Sequence, residues 1–419
     1  MRLGDIANAA AAGNGKPLDG VRILALEQMQ ALPYATQLLS RLGAEVVKVE
    51  HPKGGDLGRG SQPAMTDPQG RSVGATFLRN NLGKRSVCVD LKTDAGRQLV
   101  LDLAPKFDVV AENSKAGAMA RLGLGYADVA RVHPAVIYLS VSGFGNAASA
   151  GETRSPYDAW PAFAPIVEAM SGIYEFKRRG DAPPLVAPVG ALGDIGSGLY
   201  AVIGVLAALR HRDATGVGQH IDIAMLDAMV AMTDLVTNFW SLGLRGGDVA
   251  PLIMDGFRAN DGWFIIQVGR EPQFAKLAEL VGQPGWTDDP RLAARQGWVD
   301  HLDDLIRPAV ERWAAEMTRI EACEAMSAAG IAAGPCFRDD EVVGDPHVAA
   351  RHMLVEMPRT DGVLEPVLIP GNPVKLTQVA EGPETRIPWL GEHTDEVLTT
   401  ELGLTADALA QLRADGVIA

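Results

Sequence analysis

The N-terminal half of the chain repeats one pattern, in which a short apolar run alternates with a helical segment. The run VRILALE (Val21–Glu27) is typical of a buried strand, a helix is predicted over Pro33–Ala44, and EVVKVE (Glu45–Glu50) is typical of the next strand. Further strands, with helical stretches between them, are predicted at Ser86–Lys92, Phe107–Asn113 and Ala135–Ser142. Because strands that alternate with helices build parallel sheets, this half is predicted to be a doubly wound α/β layer.

The later part of the chain follows a different pattern. Residues Pro156–Leu244 are predicted to be mainly helical, with long helices at Leu199–Arg212 and Ala224–Leu244. A hairpin with an Asp-Gly turn is predicted over Phe257–Gly269, and three helical segments follow it. Since a chain of 419 residues is too long for a typical single domain, we expect a second, smaller α+β domain.

Charge and composition exclude several kinds of partner. The formal net charge is −14, so binding to nucleic acid is not expected, and an anionic ligand must be held by a local cluster of Lys and Arg. The N-terminus has alanines where a signal peptide needs a leucine-rich core, and the apolar run Leu199–Leu209 is about half of a membrane span. We therefore expect a cytoplasmic protein that does not bind a membrane.

Metal and disulfide sites are not expected either. The three cysteines, Cys88, Cys323 and Cys336, lack CxxC spacing, which argues against a disulfide framework or a structural zinc site and fits a reducing compartment. The eight histidines show no HExxH or comparable spacing. The sequence therefore predicts no metal site.

Several common enzyme classes lack their motifs in this chain. The first strand-to-helix turn, Gln28–Pro33, contains no glycine, so it cannot approach a dinucleotide pyrophosphate as a GxGxxG loop does. The P-loop and GxSxG motifs are also absent. NAD enzymes, P-loop NTPases and the usual serine hydrolases are therefore disfavoured.

A lone carboxylate, Asp194, lies in the glycine-rich stretch GALGDIGSGLYAVIGVLAAL (Gly190–Leu209). A carboxylate can attack an acyl carbon, and small neighbours would leave it sterically open, with the N-terminal dipole and N–H groups of a helix that begins near Ile195 beside it. Those N–H groups could also stabilise an oxyanion. The alternative is that Asp194 only caps the following helix, since Asp is a preferred N-cap residue. Spacing alone leaves both interpretations open.

Seven motifs, taken in order, resemble those of the family III CoA-transferases, which include formyl-CoA transferase, the L-carnitine CoA-transferases and α-methylacyl-CoA racemase. The motifs are Ala35–Asp56, Asn80–Arg97, Arg121–Val129, Ile137–Gly145, Ala191–Gly198, Thr215–Met229 and Leu390–Leu398. The resemblance covers nearly the whole chain. It implies that Asp194 is the catalytic nucleophile, which forms an aspartyl anhydride and then an aspartyl-CoA thioester while CoA moves from an acyl-CoA to a free carboxylic acid.

The resemblance also implies a site for CoA, which is a substrate and not a permanently bound cofactor. In such enzymes CoA lies over the large domain near the first strand-to-helix loop. The implied CoA-contacting residues are Gln28, Met29, Gln30, Ala31, Arg59, Asn81, Lys84, Asn113, Lys115 and Arg121. Ser114-Lys115 and Arg121 look more like the carnitine-type transferases, whose Lys and Arg hold a CoA phosphate, although Lys115 could also be a solvated loop lysine. Cations here fit the need of an acidic protein for local positive charge.

The acceptor pocket is less defined by the sequence. Near Gly256 the chain lacks the glycine-rich loop of formyl-CoA transferase, which disfavours oxalate or formate as substrate. Tyr157, Trp160 and Phe163 could line an acyl pocket or belong to the core. Tyr157 stands where the racemase branch has a histidine, and its pKa near 10 suits proton exchange poorly. The alternatives to a CoA-transferase are thus a racemase-like isomerase and an inactive CoA-binding protein.

The resemblance implies an interlocked, ring-like homodimer. The large Rossmann-like domain would comprise residues 1–225 and be completed by residues 341–419. A helical linker at 226–244 would lead to the small domain at 245–340. This topology follows from the resemblance alone.

Overall fold

The computed structural model describes residues 1–146, 155–177, 181–186, 191–245 and 251–419. The chain divides into two compact units: Met1–Leu242 with Ala349–Ala419, and Gly243–Val348. The predicted small domain covered residues 245–340, of which 246–250 lie outside the described ranges.

The larger unit is built on a central parallel sheet of six strands. The six strands are β1 Arg22–Leu26, β2 Glu45–Glu50, β5 Arg85–Cys88, β6 Val109–Glu112, β7 Ile137–Ser142 and β8 Gln219–Ala224. The strands β3 Ala64–Thr66 and β4 Ser72–Gly74 form a separate, small antiparallel hairpin. The order across the sheet is β5-β2-β1-β6-β7-β8, and neighbouring strands pair in parallel. The predicted mixed α/β fold with a parallel sheet is confirmed.

Helices cover both faces of this sheet. Those before residue 243 are α1 Ala31–Arg41, α2 Ala75–Asn80, α3 Asp94–Leu103, α4 Ala118–Arg121, α5 Tyr126–Val132, α6 Ala164–Met170, α7 Ile173–Lys177, α8 Leu192–Thr215 and α9 Met225–Met232. In β1, Ile23 and Ala25 pack with α1 and α8, whereas Leu24 and Leu26 belong to the core that includes α3. This alternation follows from the two-residue period of a strand and produces the two layers.

The strand order reverses between β1 and β6. The chain runs from β1 outward to β2 and β5, and then returns to place β6 on the other side of β1. In open α/β sheets, ligands bind outside the carboxyl ends of the strands at such a switch point. The loops that begin at Gln28 and Asn113 lie there.

The smaller unit contains a three-stranded antiparallel sheet and its helices. Its elements are β9 Ile253–Ala259, β10 Gly262–Val268, α10 Glu271–Leu280, α11 Arg295–Asp300, α12 Arg307–Ala314, α13 Arg319–Ala328, β11 Ala332–Pro335 and α14 Asp339–Gly344. β9 and β10 pair antiparallel around the turn at Asp261, which confirms the predicted hairpin. A core of its own, with Phe257, Phe264 and Trp298, makes this unit α+β.

The C-terminal segment returns to the larger unit. The helix α15 Pro346–Ala350 contains the boundary between the two units, and β12 Leu354–Met357, β13 Val367–Pro370, α16 Thr394–Leu402 and α17 Ala406–Ala414 follow it. Val397 and Leu398 of α16 and Leu409 of α17 pack in the same core as Leu24 of β1. The last helices therefore complete the second face of the large sheet.

The stretch predicted to be mainly helical differs in part from the structure, and residues 178–180 and 187–190 of it lie outside the described ranges. The predicted helix at Ala224–Leu244 begins one residue early, since Ala224 closes strand β8, and it is too long, because α9 ends at Met232 and a separate π-helical turn follows at Leu235–Trp240. The alternation His220-Ile221-Asp222-Ile223 suits an edge strand. Within the described ranges, α8 alone is long and apolar enough to cross a membrane, a test that a core helix also passes.

Candidate active site

Asp194 lies in the first turn of α8 and does not cap it. The N-cap position belongs to Ala191, which makes no side-chain capping bond, and Asp194 is the third residue of the helix. The capping interpretation is therefore wrong. Within the described part of the chain, the half-buried Asp194 carboxylate has no hydrogen bond or ion pair, which leaves it open to a ligand.

Glycines allow the start of α8 to lie very close to neighbouring helices. A Cβ on Gly193 would stand 2.8 Å from Val167 Cγ2 of α6. A Cβ on Gly198 would stand 2.8 Å from the backbone oxygen of Ala31 at the start of α1. The glycines around Asp194 thus serve close helix packing as well as access to the carboxylate.

The surroundings of Asp194 favour its neutral form more than water does. Burial, and with it the nearby Glu168 carboxylate, raises the pKa of Asp194 to about 6, although Arg79 of α2 opposes the shift. At neutral pH the carboxylate is still mostly ionised, and it is a stronger base than an exposed Asp. A basic, ionised carboxylate is what nucleophilic attack on an acyl group requires.

Asp194 lines a cavity of about 230 Å³ at the switch point of the sheet. Six of the residues that the sequence predicts to contact CoA also line it: Gln28, Met29, Gln30, Ala31, Asn113 and Lys115. Trp160 and Phe163 are lining residues too, and the ring of Tyr157 packs 4.8 Å from that of Trp160 between centroids.

The loop after β1 is held by a buried carboxylate. Met29 has a φ of 63°, in the left-handed region that non-glycine residues seldom adopt. Its N–H donates to Oδ1 of Asp56 at 2.8 Å, and Asp56 is itself paired with Lys48 Nζ at 2.7 Å. The buried Asp56 carboxylate therefore holds the strained loop on one side, and the other side of the loop lines the cavity.

A larger cavity of about 760 Å³ adjoins the first one and shares Lys115, Ala116 and Asp158 with it. Arg121 lines this second cavity. Lys115 and Arg121 are exposed, and neither pairs with an acidic side chain within the described ranges. Two exposed cations beside the cavity suit a phosphorylated ligand.

The structure does not bring Arg59, Asn81 and Lys84 to either cavity, so their predicted contact with CoA is corrected. Arg59 donates two hydrogen bonds of 2.7 Å to Glu50. Lys84 donates to Glu27 at 2.6 Å, and Asn81 donates to the Phe77 carbonyl at 2.9 Å. All three side chains are buried. Their polar groups stabilise the fold beneath the loop.

Sequence reasoning missed Glu168 of α6, which is buried beside the start of α8. It accepts a hydrogen bond from the Gly193 N–H at 3.0 Å. The Ile195 N–H donates to the Ala191 carbonyl, so neither of these two N–H groups is open to an oxyanion, contrary to expectation. Nothing in the local sequence signals this role, because it depends on how α6 packs against α8.

Comparison with known proteins identifies the family to which this chain belongs. The family match identifies this α/β fold, with its cavity at the switch point, as that of a transferase. The chain belongs to CoA-transferase family III, whose sequence model matches residues 18–394. The predicted membership is thereby confirmed.

Curated relatives and a solved structure agree with this assignment. The chain is 34% identical to the succinyl-CoA:mesaconate CoA-transferase of Haloarcula hispanica, over 91% of this chain and 95% of that one. It is 34% identical to the succinate–glutarate CoA-transferase of Agrobacterium fabrum, with the same coverage of 91% and 95%. A CaiB/BaiF family protein from Brucella suis matches with a TM-score of 0.78 at 32% identity, over 92% of this chain and 100% of that one.

Proposed function

We propose that the protein transfers CoA from an acyl-CoA donor to a small free carboxylic acid, with Asp194 as the nucleophile. One observation carries the proposal most directly: the open, half-buried carboxylate of Asp194 lines the cavity at the switch point of the sheet. Lys115 lines the same cavity and continues into the neighbouring one with Arg121. The proposed nucleophile, Asp194, and the cations proposed to bind phosphate, Lys115 and Arg121, therefore line two adjoining cavities.

The proposed reaction proceeds through two kinds of aspartyl intermediate. Asp194 attacks the thioester carbonyl, a carbon–oxygen bond forms, the carbon–sulfur bond breaks, and CoA leaves as a thiolate. The thiolate attacks the Asp194 carbonyl carbon of this anhydride, which gives an aspartyl-CoA thioester and releases the donor acid. The acceptor carboxylate then displaces the thiolate to form a second anhydride. The thiolate finally attacks the new acyl carbon and regenerates the Asp194 carboxylate.

The proposed CoA site comprises the cavity-lining members of the predicted set. Gln28, Met29, Gln30, Ala31 and Asn113 would contact the arm of the substrate that leads to the thioester. Lys115 and Arg121 would hold its phosphates, since charge-assisted hydrogen bonds are the strong ones. No permanently bound cofactor or metal is part of this proposal.

Two relatives are named for succinyl-CoA or succinate, together with mesaconate or glutarate. We therefore choose succinyl-CoA as the first donor and small dicarboxylic acids as the first acceptors to test. The protein would act in the cytoplasm, without a nucleic acid or membrane partner.

We also propose the interlocked homodimer. Leu192, Leu199, Ile203 and Leu206 of α8 are exposed, and their spacing places them along one side of the helix. The opposite side packs against α1 and the sheet. An exposed apolar stripe on a helix at the active site supports coverage by a second copy of the chain. Light scattering at micromolar concentration would contradict this proposal if it gave the mass of a monomer.

A CoA-exchange screen tests the function. The enzyme is incubated with succinyl-CoA and a panel of free acids, and new acyl-CoA species are detected by mass spectrometry. Transfer to at least one acid, absent in Asp194→Asn, is the expected result. If neither succinyl-CoA nor any other acyl-CoA donor exchanges CoA with any acid, the proposal is wrong, and the racemase-like isomerase and the inactive CoA-binding protein are the alternatives.

A further inference from the structure

Glu168 connects three elements at the start of α8. Its Oε1 accepts the Gly193 N–H at 3.0 Å, and its Oε2 accepts the hydroxyl of Tyr174 on α7. Only 4% of Glu168 is exposed, and Gly193 directly precedes Asp194. The carboxylate that fixes the backbone before the nucleophile is therefore buried and held by a second side chain.

The position of Glu168 is well defined by its surroundings. The hydroxyl of Ser171 donates to the Glu168 carbonyl at 2.7 Å and closes the end of α6. Burial, together with the hydrogen bond to Glu168, raises the pKa of Tyr174 to about 12. The phenol therefore keeps its proton at neutral pH and donates to Glu168 throughout that range.

Two acidic side chains thus lie together at one helix terminus. Glu168 of α6 raises the pKa of Asp194 and Arg79 of α2 lowers it, whereas Lys115 and Asp158 line the cavity that Asp194 faces. When Asp194 is acylated it loses its negative charge, so repulsion by Glu168 ends at that step. A second charge at this place would favour the acylated enzyme over the free carboxylate.

We propose that Glu168, held by Tyr174, is a positioning residue for the Asp194 nucleophile: it fixes the first turn of α8 through Gly193 and places a second negative charge beside the reacting carboxylate. This inference rests on the proposed function, in which Asp194 attacks the thioester. Glu168 itself does not line the cavity and acts through Asp194.

The variant Glu168→Gln tests the charge separately from the hydrogen bond. Glutamine keeps the length of the side chain and an oxygen that can accept the Gly193 N–H. We expect the acid limb of the kcat/KM profile, near pH 6 in the wild type, to move to lower pH by roughly half a unit or more. The plateau kcat should fall about threefold to tenfold as the nucleophile becomes less basic. Glu279→Gln, an exposed substitution of the same charge, should match the wild type.

Tyr174→Phe tests the support of Glu168. Removal of the hydroxyl leaves the Glu168 charge without this donor, so kcat should fall while the KM for acyl-CoA stays within about twofold. A purely structural role for Glu168 and Tyr174 would lower thermal stability without moving the acid limb. If Glu168→Gln is active and the acid limb of its kcat/KM profile lies at the same pH as that of the wild type, the inference is overturned.

A measurement without substrate separates this inference from the proposed function. The pH dependence of carbodiimide labelling at Asp194 is followed by peptide mass spectrometry in the wild type and in Glu168→Gln. The labelling midpoint should be lower in the variant even if no acyl-CoA turns over. Identical midpoints would overturn the role of Glu168, whereas a shifted midpoint with no CoA exchange would count against the proposed function alone.

Discussion

Gln28 and Asn113 form a reciprocal pair of hydrogen bonds: the Gln28 N–H donates to Asn113 Oδ1 at 2.9 Å, and Asn113 Nδ2 donates to the Gln28 carbonyl at 2.8 Å. This pair joins the loops after β1 and β6, where the strand order reverses. It fixes two walls of the cavity relative to each other, and both residues line that cavity.

Asn113→Ala should loosen these two walls and weaken acyl-CoA binding. The loss of two hydrogen bonds of about 1 kcal/mol each should lower the stability by about 2 kcal/mol and, because the loosened loops must be ordered again on binding, raise KM by up to about thirtyfold. Steady-state kinetics and thermal unfolding measure the two effects. Asn14→Ala, which removes a bond to Gln378 on the surface, serves as the control, and equal KM values in the two variants would argue against the pair.

Asp194→Asn should abolish CoA exchange and leave the fold and CoA binding nearly intact, because an amide cannot form the anhydride. Hydroxylamine added to the wild type during turnover should convert Asp194 to a hydroxamate, with a peptide mass gain of about 15 Da. Asp213→Asn, an exposed change on the same helix, should remain active. Substantial exchange by Asp194→Asn would exclude the nucleophile.

The stability of the protein should also depend on Asp194 in a defined direction. Its pKa is raised from 3.8 to about 6 on folding, so ionisation of the carboxylate destabilises the fold progressively as the pH rises between these two values and fully above about pH 6. Asp194→Asn should therefore be more stable at pH 8, by at most about 3 kcal/mol, and the difference should disappear below pH 4. Chemical denaturation at the two pH values measures it. A variant that is less stable at pH 8 would contradict the raised pKa.

Lys115→Gln and Arg121→Gln should each raise the KM for acyl-CoA about tenfold, because each removes a charge-assisted contact to phosphate. The effect should shrink as ionic strength rises. An acyl-pantetheine thioester, which lacks the nucleotide phosphates, should react equally with both variants and the wild type. Lys276→Gln, on the exposed side of α10, is the control. If the acyl-pantetheine reaction fell as strongly, the phosphate role would be wrong.

Lys84→Met should weaken the fold and not the affinity for CoA. Its amino group is fully buried and bound to Glu27, so its removal takes the nearer of two lysine partners from a buried carboxylate, at a cost of about 3 kcal/mol. Burial lowers the pKa of Lys84 to about 8, and Glu27 opposes that shift. Urea unfolding measures the stability of the variant, and steady-state kinetics measure its KM for acyl-CoA. A large rise in KM with unchanged stability would restore Lys84 to the CoA site.

The family resemblance implied that Asp194, Gln28 and Asn113 share one site, and in the structure they meet because each follows a strand or opens a helix at the same sheet edge. Lys84 could not be assigned in this way, since the sequence does not show that Glu27 reaches it in the folded chain. The role of Glu168 could not be predicted for the same reason, because its partners Gly193 and Tyr174 become its neighbours only when α6, α7 and α8 pack together.

Successive side chains of β1 pack on opposite faces of the sheet, and this alternation limits where the chain can gain or lose a residue. One residue inserted between Ile23 and Leu26 would exchange the inward and outward sides of the strand, so both layers would lose their fit at once. It would also move Gln28 away from Asn113. The β12–β13 connection has no such coupling to the cavity. Engineered insertions, affinity tags or permuted termini therefore belong in that connection, near Asp361, and not next to the first strand.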